Sequence, residues 1–143
     1  MPDEWITGIS IPELGVERVN MMYPIGSVFR ANGLIVGGSD WAVSTMNPLV
    51  AIETAVRRED PADRIVGVLN KNESMDLTEM LKAYTINAAY LMHQQDMTGT
   101  IEVGKSADLI ILEKNLYNIP IDEISEVRVL ETMIEGNTVY KAE

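Results

Sequence analysis

The sequence predicts an α/β fold that ends in a small β unit. Three observations carry this. A short, wholly apolar run, Leu34-Ile35-Val36-Gly37-Gly38, lies between two helical patterns. The connections on either side of it are short. Beyond Asp96 the chain changes to β-branched runs with a two-residue hairpin signal. The change divides the chain into an α/β part, residues 1–95, and a C-terminal β unit, residues 96–143.

Val16 to Met22 is a short helix candidate closed by Pro24. In the next helix Ile25, Val28 and Phe29 share one face, and Asn32-Gly33 supplies the stop. The length and β-branched content of Leu34 to Gly38 predict a strand buried on both faces, as in a parallel sheet. Asn47-Pro48 opens a further helix, with a capping side chain followed by proline at the first position. Leu49, Ile52 and Val56 form its apolar stripe, and Arg57-Arg58 suit its C-terminal end. Helix, strand, helix is the rhythm of an α/β barrel or a doubly wound sheet, and one strand cannot form either alone.

Glu59 to Ser74 is polar and predicts a surface loop. Asp76-Leu77-Thr78-Glu79 has the form of a capping box, with Met75 and Met80 placed for a hydrophobic staple. That helix continues through Leu81 and Tyr84, and Thr85 is a candidate cap for a further turn through Ala88, Ala89 and Leu91. Thr100 to Val103, turned by Gly104-Lys105, leads into the strong strand Ala107 to Leu112. Asp122-Glu123-Ile124 after Pro120 suggests a short helix. Val127 to Ile134 and Thr138 to Tyr140 are strands joined across Gly136-Asn137.

The 143 residues are 46% hydrophobic but only 6% aromatic, so the core must rest on aliphatic residues, Ala and the nine Met. With no cysteine, disulfides, thiolate metal sites and cysteine nucleophiles are excluded, which fits a cytoplasmic location. Eleven Lys and Arg against 22 Asp and Glu give a net charge of −11. A surface so negative repels phosphate backbones, so neither nucleic acid nor an anionic membrane is an expected partner. No apolar window is long enough to cross a bilayer, and Met1 to Trp5 lacks the basic-then-apolar order of a secretory signal.

Three segments stand out in order. They are Gly37-Gly38-Ser39-Asp40-Trp41 after the apolar run, then Leu77-Thr78-Glu79 with Tyr84-Thr85-Ile86-Asn87-Ala88-Ala89. The third is Gly99-Thr100-Ile101-Glu102-Val103-Gly104-Lys105-Ser106-Ala107-Asp108-Leu109, ending at Glu135-Gly136-Asn137-Thr138-Val139-Tyr140. Together they resemble the C-terminal part of the amidohydrolase superfamily, in its branch of broad-specificity metal-dependent hydrolases. The resemblance implies the last segment of a TIM-like (β/α) barrel, followed by a portion of a small β-sandwich. It makes Leu34 to Gly38 the last barrel strand and places Asp40 at that strand's C-terminal end, where barrel sites gather.

The same resemblance implies the chemistry. Asp40 becomes both catalytic residue and metal ligand, in a site where a divalent metal, zinc above all, acidifies a bound water. Its short carboxylate takes that water's proton and later returns one to the leaving nitrogen. The substrate is then a small molecule with a non-peptide carbon–nitrogen bond, and Trp41 a wall of its pocket. Ala42 stands where family members often have proline.

A complete site of this kind also needs a His-x-His pair and further histidines. The chain has one histidine, His93, at a helix end beside Gln94-Gln95, where the bland reading is an exposed or capping side chain. The chain alone is therefore expected to be inactive and to hold no metal. Gly37-Gly38-Ser39-Asp40 is neither a nucleophile elbow nor a phosphate loop. Two alternatives compete: a subunit of a split hydrolase whose other chain brings the histidines, and a non-catalytic oligomeric binding module. Unpaired strand edges predict self-association in each case.

Overall fold

The computed structural model describes residues 9–62 and 67–143; the N-terminal Met1 to Trp5 lies outside them. In chain order the helices are α1 (Ile11–Leu14), α2 (Val16–Val19), α3 (Ile25–Arg30), α4 (Pro48–Arg57), α5 (Leu77–Ala83) and α6 (Ile86–Leu91). The strands are β1 (Leu109–Leu112), β2 (Val129–Ile134) and β3 (Asn137–Lys141), and 3-10 turns occupy Lys71–Glu73 and Ile121–Glu126.

The best-determined element from sequence, α4, forms as expected. The Asn47 side-chain oxygen accepts the Leu49 amide at 3.0 Å, and Pro48 fills the first turn, where no amide partner is required. The helix ends at Arg58, whose amide makes the last helical bond to the Thr54 carbonyl at 2.7 Å and whose left-handed φ of 61° turns the chain away. Of the predicted apolar stripe, Leu49 and Ile52 are buried and Val56 is half-buried against the core, with Ala55 buried beside them. The stripe meets Met75 just before α5, Met80 and Ala83 within it, and Leu116, Ile124 and Val127 from the segment before β2. One core thus draws on both sides of residue 96. Each fully buried aliphatic side chain there contributes roughly 1.5–3 kcal/mol.

Two ends differ from expectation. Asp76 precedes α5 with extended backbone but makes no side-chain cap, and Glu79 instead pairs with Lys82 at 2.8 Å, so the capping box is not formed. Met75 and Met80 are both buried, as a staple requires. Nor does Thr85 cap α6: its hydroxyl donates back to the Leu81 carbonyl at 2.8 Å, a bond that closes α5.

The sheet is antiparallel in the order β1-β2-β3, with Ile110 opposite Thr132 and Thr132 opposite Tyr140. The hairpin turns on Glu135-Gly136, one residue earlier than predicted, with Ile134 opposite Asn137. Both turn residues have positive φ, 51° and 77°, as a two-residue turn matched to strand twist demands. Glu135 tolerates this because its amide donates to Asp108 Oδ1 at 2.8 Å, while the Gly136 amide donates to the Ala107 carbonyl.

The predicted buried strand at Leu34 to Gly38 is not a strand. Among the described residues there is no parallel pairing and no barrel, and Leu34 is 52% exposed. The segment is extended, but a strand needs a neighbouring strand to share its ladder. Its polar groups are taken up by helices instead, as the site shows. The polar stretch after Glu59 also hides a buried group: Glu73 is 5% exposed, and residues 63–66 of that stretch lie outside the described ones.

Candidate functional site

The candidate site begins in the extended segment 34–38. Ile35 packs against the core, and its carbonyl accepts the Asn87 side-chain amide at 2.9 Å. Two residues on, the Gly37 amide donates to the Ala83 carbonyl at 3.0 Å. Gly37 also lies flat against the Tyr84 ring: a Cβ there would fall 2.3 Å from Tyr84 Cε2. The half-buried Tyr84 has its phenol pushed up by burial. A turn between two helices therefore does for this segment what a neighbouring strand does in a sheet.

Directly after it the chain reverses. Asp40 has φ of 50°, a left-handed conformation that a short polar side chain accepts more readily than most. The Asp40 carbonyl takes the Val43 amide at 2.7 Å, and the Ser44 hydroxyl donates to the Ser39 carbonyl. Asp40 is exposed on this turn, and Trp41 is 65% exposed beside it. A carboxylate so placed can accept a proton or bind a cation from solvent.

The donor set does not make a metal site by itself. Among the described residues no three His, Asp or Glu side chains gather in a group that could hold an ion. His93 is exposed just past the end of α6, with φ of 59° and its amide bonded to the Tyr90 carbonyl. Its geometry is that of a helix-terminating residue.

The third motif is structural in the same way as the second. Gly99, at φ of 91°, abuts α6, where an added Cβ would stand 2.7 Å from Ala89 Cβ and 3.1 Å from Ile86 Cα. Asp108 holds the hairpin turn, and the Glu135 amide foremost keeps its carboxyl below the usual range. A cleft of about 410 Å³ runs between α6, the 98–101 loop and β1, and Asp108 is its only carboxylate. That carboxylate is committed to the turn, and the other titratable group among the described lining residues is the Tyr84 phenol. All three motif segments thus touch in one line: Gly37 on Tyr84, and Ala89 on Gly99.

Sequence reasoning missed Asn87 and Tyr84 as holders of the 34–38 segment, although both stand inside the motif that carries the resemblance. It also missed two buried carboxylates. Glu73 accepts the Ser27 amide at 2.6 Å and its hydroxyl at 2.5 Å, bonds that keep its carboxyl below the usual range. Glu53 bonds Arg57 and the Ser125 amide. A glutamate one turn before an arginine is the only signal the sequence offers for the latter.

The family model of the amidohydrolase family matches residues 4–140. The chain belongs to that family. It is 35% identical over 129 residues to the Protein LONG AFTER FAR-RED 3 of Arabidopsis thaliana, covering 90% of this chain and 22% of that protein. It is 31% identical over 120 residues to the N-substituted formamide deformylase of Arthrobacter pascens, covering 84% and 22%. With the putative amidohydrolase YtcJ of Bacillus subtilis the identity is 26% over 131 residues, covering 92% and 25%. Among solved structures, an amidohydrolase from Thermotoga maritima superposes with a TM-score of 0.62 at 22% identity, over 82% of this chain and 26% of that one. The chain therefore spans about a quarter of the length of these relatives.

Proposed function

We propose that this chain supplies the Asp40 carboxylate to the active site of a hydrolase acting on carbon–nitrogen bonds other than peptide bonds. One observation supports the reading above the rest. In a chain matched to the family from residue 4 to residue 140, Asp40 stands exposed at the end of an extended segment fixed by the second family motif. A relative named for the same chemistry, the N-substituted formamide deformylase, is 31% identical over 84% of this chain.

In the complete site a divalent metal, zinc in our reading, would be held in part by Asp40 and would supply acidity to water. This chain's share is the proton traffic. Asp40 accepts the proton of the attacking water and passes it to the departing nitrogen, so that a neutral amine leaves. Trp41, exposed beside it, forms one wall for a small-molecule substrate. The histidines come from outside this chain, which alone is inactive. A split enzyme, whose other chain brings the histidines, is the second reading.

The test is reconstitution. The chain is joined to, or mixed with, a polypeptide carrying the family's His-x-His segment, and hydrolysis of N-substituted formamides and cyclic amides is followed. Activity that depends on both parts, and falls by at least 100-fold in Asp40→Ala, is the expected result. Full activity in Asp40→Ala would remove Asp40 from the chemistry.

A further inference from the structure

We propose that Asn87 is a positioning residue for Asp40, acting through the extended segment 34–38; the catalytic meaning of this rests on the role proposed for Asp40. Three contacts converge on that segment within three residues. The Asn87 carboxamide donates to the Ile35 carbonyl at 2.9 Å, the Ala83 carbonyl accepts the Gly37 amide at 3.0 Å, and the Tyr84 ring covers Gly37. No strand pairs with the segment among the described residues, so these contacts stand in for a ladder. Asp40 follows three residues after Gly37, on a turn bonded, among the described residues, to its own neighbours: the Val43 amide to the Asp40 carbonyl, the Ser44 hydroxyl to the Ser39 carbonyl.

The direction of the carboxylate is thus inherited from the segment before it. Asn87 is suited to the task because one end of its carboxamide donates to a main-chain carbonyl while its short stem adds little freedom. Aspartate has the same shape, yet its ionised form has no donor and faces the Ile35 oxygen with negative charge. Alanine removes the group altogether.

Local order at the turn is the quantity to measure, in the full chain with Trp5→Phe so that Trp41 is the sole tryptophan. Amide hydrogen exchange is followed at residues 35–44 and at the α4 core, with Trp41 fluorescence anisotropy alongside. Asn87→Ala and Asn87→Asp should each speed exchange at Gly37 and Val43 by about fivefold to tenfold, the worth of one hydrogen bond. Trp41 anisotropy should fall, while the Ile52 and Ala55 amides keep the wild-type rate. Gly37→Ala, which forces the Tyr84 ring aside, should give the same pattern and carries the test if the Asn87 variants fold poorly. Unchanged exchange at 35–44 overturns the proposal. So does a loss spread equally to α4, which marks a general packing role, or full protection in Asn87→Asp. Because none of these readouts involves hydrolysis, an inactive Asp40 in reconstitution would refute the function and leave this result standing.

Discussion

The carboxylate of Glu53, fully buried on α4, accepts the backbone amide of Ser125 at 2.8 Å across 72 residues of chain. Its other oxygen takes Arg57 at 2.6 Å, and Arg57 in turn reaches Glu59. The helical part and the 3-10 turn Ile121–Glu126 are therefore joined by a charged hydrogen bond inside a shared core.

Glu53→Ala leaves the half-buried Ser125 amide without its acceptor and Arg57 without its partner on α4, which costs about 1–3 kcal/mol. Glu53→Gln keeps an acceptor and should lose less. Urea denaturation of the three proteins checks the order, and an Ala variant as stable as the wild type would show that this joint carries no weight.

Much of this was legible in the sequence, and what was not has physical reasons. The cap at Asn47 depends on two adjacent residues and was read directly. The segment 34–38 was apolar and β-branched enough to be called a strand, but pairing is a long-range property that a local pattern does not contain. The hairpin was found one residue late, because the signal Gly136-Asn137 gave no hint that Asp108, 27 residues upstream, holds the Glu135 amide. Asp40 is legible only through the resemblance carried by Gly37 to Trp41. Asn87, in the next motif, looked like an ordinary helix residue because its partner is 52 positions away.

Among the described residues, three carboxyls held below their usual range contribute to the acid response. Glu73 is held low by the Ser27 hydroxyl and amide, Asp108 by the Glu135 amide, and Glu113 by Arg128. A carboxyl whose folded pKa is depressed adds stability above its unfolded pKa and loses it as pH falls through the folded value. Stability should therefore be flat from pH 7 to about 5, then decline from about pH 4 downward. Denaturation midpoints across that range are the check. Asp108→Asn should lower stability at pH 7 and flatten part of the acid decline; an unchanged slope would mean that Asp108 adds nothing to the acid response.

Self-association is expected from the surface. β3 is exposed along its whole length at the sheet edge, and Leu34, Val43, Ile101 and Val103 are among the exposed apolar side chains. Unpaired edges and apolar surface favour a partner of the same kind. Sedimentation velocity should show a dimer or larger species at micromolar concentration, and a compact monomer there would end the idea.

The measurement that bears most directly on the whole account is the zinc content of the purified chain, by elemental analysis, with Asp40→Ala prepared alongside. A chain that lends one aspartate to a site built largely elsewhere should carry no stoichiometric zinc in either form. One tightly held zinc per chain, lost in Asp40→Ala, would contradict this and mean that copies of the chain complete the site among themselves.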